Sequence, residues 1–136
     1  MKISTKGRYA LRVMADIAIN EKDGNVSITD ISNRNKISNK YLEQIISLLV
    51  KSNLLTSKRG KQGGYTLSKP AKEITVGEII KQTEGNLETV SCLSGTTKCE
   101  MACNCLTVDV WFKLEKIIQN FLNSTTLHDV ITKNVL

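Results

Sequence analysis

The sequence is poor in proline and in aromatic side chains. It contains a single proline, and only 4% of its residues are aromatic. Strand-rich sandwiches usually contain many aromatic residues, whereas the abundance of leucine, isoleucine, lysine and glutamate seen here favours helices. We therefore predict a mostly α fold. A length of 136 residues is enough for one ordinary core, so we expect one compact domain with an appendage.

Long apolar runs are also absent. No stretch approaches the roughly 18 residues that a membrane-spanning helix requires. The segment from Met1 to Arg8 lacks the apolar core of a secretion signal. The sequence therefore predicts a cytoplasmic protein with no membrane partner.

Residues that commonly carry catalysis are few. The chain has one histidine, no nucleophile beside a base and no phosphate-binding loop. We expect a binding protein rather than an enzyme, and we name no catalytic residue.

Positive charge is concentrated in the first half of the chain. Residues 1–65 contain twelve Lys and Arg against five Asp and Glu, a surplus of seven positive charges, whereas residues 66–136 contain seven against eight. Basic side chains that displace counterions from phosphates supply most of the sequence-independent affinity for nucleic acids. The N-terminal half is therefore predicted to bind a polyanion.

The stretch from Ile28 to Leu67 has the pattern of a winged helix-turn-helix. A short support helix starts at Ile28, and after a turn Ser38 is suited to cap a recognition helix. A hairpin with a basic, glycine-rich tip then returns to Leu67. An amphipathic scaffold helix over residues 5–19, with Ser4 or Thr5 as its cap, precedes the motif. This combination indicates a reader of double-stranded DNA.

The outward face of the recognition helix and the hairpin tip supply the predicted DNA contacts. Gln44 can pair with adenine edges, and Glu43 can accept from cytosine. Arg59 at the tip is placed to enter a narrow, A·T-rich minor groove. The predicted DNA-binding residues are Ser38, Asn39, Lys40, Tyr41, Glu43, Gln44, Lys58, Arg59 and Lys61.

The second half divides into three pieces. A capping box at Thr75 and Glu78 starts a helix that ends near Gly85, and residues 86–106 then show no periodicity. A strongly apolar helix follows over residues 107–121, which we interpret as a dimerisation helix, and a short closing helix follows Ser124, Thr125 or Thr126. We therefore predict a winged helix-turn-helix domain at 1–85, a cysteine-rich cluster-binding loop at 86–106, and the dimerisation and C-terminal helices at 107–136.

All four cysteines lie within fourteen residues, at Cys92, Cys99, Cys103 and Cys105. In a reducing compartment this clustering favours bound metal or redox chemistry over structural disulfides. Three hypotheses follow from the residues: thiolate ligands of an iron-sulfur cluster, a zinc site of four thiolates, or a thiol-disulfide switch without metal. Cys105, just before a helix N-terminus, should have a favoured thiolate.

Several motifs together resemble one family. Five segments resemble the Rrf-type family of bacterial winged-helix transcription regulators, and the resemblance extends over nearly the whole chain. They are the opening from Met1 to Leu11, the wing from Arg59 to Tyr65, and the segments 41–44, 76–80 and 124–127. The spacing of three cysteines before a Trp-containing helix resembles the family's iron-sulfur cluster regulators. The resemblance implies a homodimer that binds promoter DNA and holds a 2Fe-2S cluster with Cys92, Cys99 and Cys105.

One position departs from that pattern. The resemblance implies a histidine as fourth ligand three residues after the last cysteine, and Val108 stands there. The candidates for this ligand are Cys103, a carboxylate of Asp109 or Glu100, or a group from elsewhere, including the partner subunit; His128 lies far along the chain. Some members of the family carry no cluster and act through a partner enzyme of cysteine biosynthesis. A cluster-free, thiol- or enzyme-dependent repressor of cysteine or sulfur metabolism is therefore the alternative.

Overall fold

A computed structural model describes residues 2–93 and 99–135, and the mostly α prediction is confirmed. Over these ranges the chain forms six α-helices and one antiparallel hairpin. The elements are α1 (Thr5–Asn20), α2 (Ile28–Asn35), α3 (Asn39–Lys51), β1 (Leu55–Lys58), β2 (Gly64–Leu67), α4 (Val76–Glu84), α5 (Val108–Ser124) and α6 (Leu127–Ile131). Short 3-10 turns occur at Glu21–Asp23, Ala71–Glu73, Ser91–Leu93 and Ala102–Asn104.

Side-chain caps determine where five of these helices begin. A serine or threonine before each helix accepts a hydrogen bond from a backbone N–H of the first turn, which satisfies a donor that has no partner within the helix. The caps are Ser4, Ser27, Ser38, Thr75 and Thr126. Thr75 and Thr126 each form a complete capping box, with Glu78 and Asp129 respectively. The cap predicted at Ser38 and the capping box predicted at Thr75 are confirmed. Of the three candidates for the closing helix, Thr126 is the N-cap.

The core is organised around α1. Val13, Met14 and Ile17 are fully buried along one stripe of this helix, and α1 contacts α2, α3, α4, α6 and β2. The recognition helix α3 adds four apolar residues from its inward face, which are Leu42, Ile45, Ile46 and Leu49. Helical periodicity places each set on one side of its helix. The position of α3 therefore depends on its packing against α1.

The base of the hairpin is attached to the body of the protein by backbone hydrogen bonds. Val26 and Tyr65 exchange two of them, at 3.0 Å and 2.8 Å, and the Leu67 N–H donates to the Glu21 carboxylate at 2.8 Å. Gly64 has φ +149°, and a Cβ at this position would come within 2.5 Å of the Val26 carbonyl oxygen. Only glycine permits this close approach of the two chains. The isolated antiparallel bridge between Val26 and Tyr65 thus adds a third short edge beside the wing.

The C-terminal helix α6 completes the same core. Leu127 is 0% exposed and belongs to the cluster around α1. Its N–H donates to the Ile74 carbonyl at 2.8 Å, and the Val76 N–H donates to the Thr125 carbonyl at 2.9 Å. The division of the chain at residues 85 and 106 stays a prediction, but α6 packs with the N-terminal elements.

Helix α5 is the longest helix in the described ranges, with 17 residues. It starts one residue later than predicted and continues to Ser124, since no proline or glycine interrupts it before Thr125. No helix among the described residues is long and apolar enough to cross a membrane.

Replacement of Leu127 by alanine tests the role of α6. The truncation leaves a cavity in a fully buried site, and such changes lower the free energy of unfolding by about 2.5–5 kcal/mol. Val135→Ala, at a position that is 46% exposed, is the control and should change it by under ~0.5 kcal/mol. Urea denaturation followed by circular dichroism measures both. Equal midpoints for the two variants would contradict the packing described for α6.

Candidate functional site

The N-terminal part of α3 presents the predicted DNA-reading residues to solvent. Ser38, at the cap, is exposed, and so are four residues of the helix, which are Asn39, Lys40, Glu43 and Gln44. The Ser38 Oγ accepts from the Tyr41 N–H at 3.3 Å. The structure therefore brings these residues together on one surface, with the buried face of α3 behind them.

Tyr41 differs from the other members of this group because it is only half-exposed. Its ring meets the Tyr9 ring edge-on, with the centroids 5.8 Å apart. The Arg12 guanidinium lies 5.4 Å from the centre of the Tyr9 ring on the same helix. Tyr41 therefore packs against α1 and remains partly accessible to solvent beside the predicted DNA-reading residues.

Two arginines hold the turn of the motif against α1. The Arg12 guanidinium donates to the Asn35 carbonyl at 2.9 Å, at the end of α2. Arg34 donates twice to the Asp16 carboxylate, at 2.9 Å and 2.7 Å, and this hydrogen bonding raises the pKa of Arg34. The sequence analysis assigned neither contact, because periodicity places a residue on a helix face but does not reveal which element lies opposite. Both contacts hold the end of α2, just before the recognition helix, against α1.

The wing carries its charges at an exposed, tight tip. Lys58 pairs with Gly64 at the end of the ladder, and Gly60 turns the chain with φ +112°. The Asn25 side chain donates to the Gln62 carbonyl at 3.0 Å and ties the tip to the segment before α2, a contact that the sequence analysis did not foresee. The three predicted basic residues of the wing, Lys58, Arg59 and Lys61, are all exposed.

The exposed cations of α3 and of the wing form no ion pair with another described residue. In the ranges that the structure describes, ion pairs join Arg34 to Asp16 and Lys69 to Glu78, and none involves Lys40, Lys58 or Arg59. Cations without an internal partner are available to phosphate groups. The recognition helix and the wing together form an exposed basic surface suited to a nucleic-acid backbone.

The cysteine segment leads into α5. All four thiols are free; Cys92 and Cys105 are half-buried, and Cys99 and Cys103 are exposed. The Cys105 sulfur lies 3.3 Å from the Thr107 hydroxyl. This hydrogen bond, followed by those from the Thr107 and Val108 backbone N–H groups, lowers the pKa of the Cys105 thiol. The favoured thiolate predicted for Cys105 is supported by these contacts.

The cysteines match the ligand type, but not the ligand arrangement, that a metal ion or an iron-sulfur cluster requires. Four thiols within one short segment are the soft ligands that iron-sulfur clusters and zinc prefer. Among the described residues, however, no three His, Cys, Asp or Glu side chains lie together as a metal-binding group. Residues 94–98 of the predicted cluster-binding loop lie outside the described ranges. The chemistry of the ligands fits, and binding would require the segment to draw its thiols together.

Helix α5 leaves much of its apolar surface uncovered. It packs on α4, yet Phe112 is 55% exposed and Ile117 57% exposed. Val110, Leu114 and Phe121 are also exposed, and their spacing places them on one stripe with Ile117, whereas Phe112 lies on the opposite side of the helix. A helix of a monomer would normally bury such a stripe, so this face is a candidate interaction surface.

Comparison with known proteins gives a consistent result. The family model described as Rrf2, iron-dependent transcriptional regulator, matches residues 3–133. The HTH-type transcriptional regulator IscR of Pectobacterium atrosepticum is 41% identical over 137 residues, covering 100% of this chain and 83% of that protein. The structure of CymR, the global cysteine regulator of B. subtilis, superposes with a TM-score of 0.83 at 36% identity over 98% of both chains. T. potens IscR gives a TM-score of 0.77 at 37% identity, over 98% of this chain and 88% of that one.

Replacement of Arg59 by alanine tests the wing. If the guanidinium enters a minor groove, its loss should weaken DNA binding by about 1–3 kcal/mol, or roughly 5- to 150-fold in Kd. It should also relax the A·T preference beneath the wing. Selection from a randomised duplex library, followed by titration of the selected duplex, measures both effects. Lys133→Ala, at an exposed position after α6, is the charge-matched control, and equal selectivity and affinity in the two variants would remove Arg59 from the interface.

Proposed function

The chain belongs to the Rrf2 family of transcriptional regulators, and from this premise we propose that it binds promoter DNA as a homodimer whose affinity responds to a 2Fe-2S cluster. As a member of this family it is a DNA-binding regulator and not an enzyme. The observation that carries the finer proposal is the position of four free thiols directly before the exposed helix α5. The proposal has three parts: a DNA surface, a dimer contact and a cluster site.

The DNA surface consists of the exposed start of α3 and the tip of the wing. Glu43 and Gln44 face outward where a recognition helix enters the major groove, and Lys40 is exposed beside them. Arg59 extends from a hairpin whose base is fixed by Val26 and Glu21. Helix and wing would then contact adjacent grooves of the same duplex.

A second copy of the chain would cover α5. The exposed stripe of Val110, Leu114, Ile117 and Phe121 lies on a helix of 17 residues, which is long enough for a symmetric pair. Pairing through this helix would place two α3 helices on successive major grooves, about 34 Å apart or a multiple of that distance. The operator would therefore be a palindrome or close to one.

Cys92, Cys99 and Cys105 would hold the cluster, with Cys103 as the fourth ligand. Val108, where the resemblance implies a histidine, offers no donor atom, and His128 lies in α6. Cys105 is prepared as a ligand, since its hydrogen bonds at the start of α5 favour the thiolate. A bound 2Fe-2S cluster would supply a redox-active centre that depends on iron, oxygen and sulfur supply.

The segment from Cys92 to Cys105 would transmit the signal. Its two ends are joined to 86–91 and to α5, so drawing the thiols together would restrict the start of α5. A change at that point would bias the relative placement of the two recognition helices in the dimer. DNA affinity would then differ between the loaded and empty forms.

A second function is favoured by one comparison. CymR, named as a global cysteine regulator, superposes with a TM-score of 0.83, and the described thiols do not converge in this chain. The alternative is a cluster-free repressor of cysteine or sulfur metabolism that acts through its thiols or through a partner enzyme of cysteine biosynthesis. A zinc site of four thiolates is the remaining alternative for the cysteines.

Anaerobic purification tests the cluster. The wild-type chain should show visible absorption with iron and acid-labile sulfide in equal amounts, and Cys92→Ala, Cys99→Ala or Cys105→Ala should each abolish it. Cys103→Ala should do the same if this thiol is the fourth ligand, and Met101→Ala, in the same segment, should leave the spectrum unchanged. A colourless protein containing zinc, or no metal, would contradict the cluster. Capture of a cysteine-biosynthesis enzyme from extract would then support the alternative.

Replacement of Ile117 by glutamate tests the dimer. A charge in the middle of an apolar contact should convert the wild-type dimer into a monomer at micromolar concentration, because burying it without a partner is strongly unfavourable. Sedimentation velocity measures the mass of each form. Val135→Glu, at an exposed apolar position outside α5, should remain dimeric. A dimeric Ile117→Glu variant would place the contact elsewhere on the molecule.

A further inference from the structure

A cavity of about 470 Å³ lies between α4 and α5 and is closed on a third side by the segment 86–93. Its size is in the range of small-molecule sites. It is separate from the recognition helix and the wing, none of whose residues line it. Neither the DNA surface nor the thiols give it a role.

The wall of this cavity contains a carboxylate oxygen without a partner. Glu115 Oε1 accepts from the Gln119 side chain at 3.0 Å, but Oε2 is shielded from solvent and has no hydrogen-bond donor. The neighbouring Lys116 lies over the Phe112 ring, 5.4 Å from its centre. Lys116 and Glu115 both line an adjoining cleft, but no ion pair joins the two side chains among the described residues. An unsatisfied, shielded carboxylate oxygen is costly and favours a ligand that brings N–H donors.

A second shielded atom lies in the segment that closes the cavity. The Thr89 hydroxyl oxygen is likewise without a hydrogen-bond partner, one residue after Glu88, which lines the cavity. Thr89 itself does not line the cavity, so the Glu115 oxygen is the one that a ligand would have to satisfy, since buried polar groups in native proteins are nearly always paired.

The remaining lining residues define what such a ligand would look like. Lys81, on α4, supplies the positive charge for an anionic group, and Glu88 adds a second carboxylate to the wall. The apolar part of the wall comes from three leucines, Leu87, Leu93 and Leu122. We propose that this cavity binds a small aliphatic α-amino acid, with its ammonium group on Glu115, its carboxylate on Lys81 and its side chain against the leucines.

Both charges of the ligand are needed in this assignment. A simple amine would pair with Glu115 but leave the Lys81 ammonium group without an anionic partner. A simple carboxylic acid would leave the Glu115 carboxylate unpaired. A zwitterion supplies donors and acceptors to opposite walls at once. Three leucines favour an aliphatic side chain over a charged one.

Calorimetry on the full chain, with DNA absent, tests the proposal with L-leucine as the probe. Two analogues separate its charges: 3-methylbutylamine lacks the carboxylate and 4-methylpentanoate lacks the ammonium group. L-leucine should bind, and each analogue should bind at least about tenfold more weakly, since each loses a charge-assisted contact. Equal binding of either analogue, or no heat with L-leucine at millimolar concentration, would overturn the proposal.

Matched variants locate the site. Glu115→Gln keeps the shape of the side chain but removes its charge, and Lys81→Met removes the opposite charge; each should weaken L-leucine binding at least about tenfold. Glu73→Gln and Lys113→Met, on exposed residues outside the cavity, should leave it unchanged. Circular dichroism confirms folding of each variant. Unchanged affinity in folded Glu115→Gln would place the ligand elsewhere, and because no DNA is present, either result is independent of the function proposed above.

Discussion

Burial of the apolar stripe of α1 determines where the functional elements lie. Val13, Met14 and Ile17 have no exposed surface, and they are surrounded by the recognition helix, the support helix, α4, α6 and a strand of the wing. Close packing of this kind leaves little room for independent movement of the neighbours. A single helix that supplies none of the predicted DNA contacts thus sets the relative position of the recognition helix and the wing.

Helix α4 connects this core to the cysteine segment and α5. On one side its last residue, Glu84, accepts hydrogen bonds from the backbone N–H and the hydroxyl group of Ser4, the cap of α1. On the other side α4 packs on α5. Helix α4 therefore joins the core around α1 to α5, which follows the thiol segment. The cavity next to Glu115 lies at this same junction.

Features that depend on neighbouring residues could be predicted from the sequence. Ser38 and the Thr75–Glu78 pair are recognisable within four residues, because capping depends only on neighbouring backbone N–H groups. The basic tip of the wing was equally clear, since its glycines and charges are contiguous. For the same reason the order of the helices and the presence of a hairpin were predicted correctly, with small errors at the ends of α1 and α5.

The remaining features depend on pairs that are far apart in sequence. The contact of Arg12 with Asn35, the anchoring of Leu67 by Glu21, and the unsatisfied oxygen of Glu115 become apparent only when the helices are packed. The arrangement of the cysteines in space was also not predictable. Their spacing in the sequence indicates suitable ligands, but not whether the backbone brings the thiols together. Periodicity and composition contain no information of that kind.

The burial of Leu127 has a consequence for biosynthesis. The predicted DNA-reading residues precede α6 in the chain, but the core beneath them stays open on one side until α6 has docked beside α1. A chain that stops before Leu127 would therefore keep an uncovered apolar surface, and such surfaces are prone to aggregation.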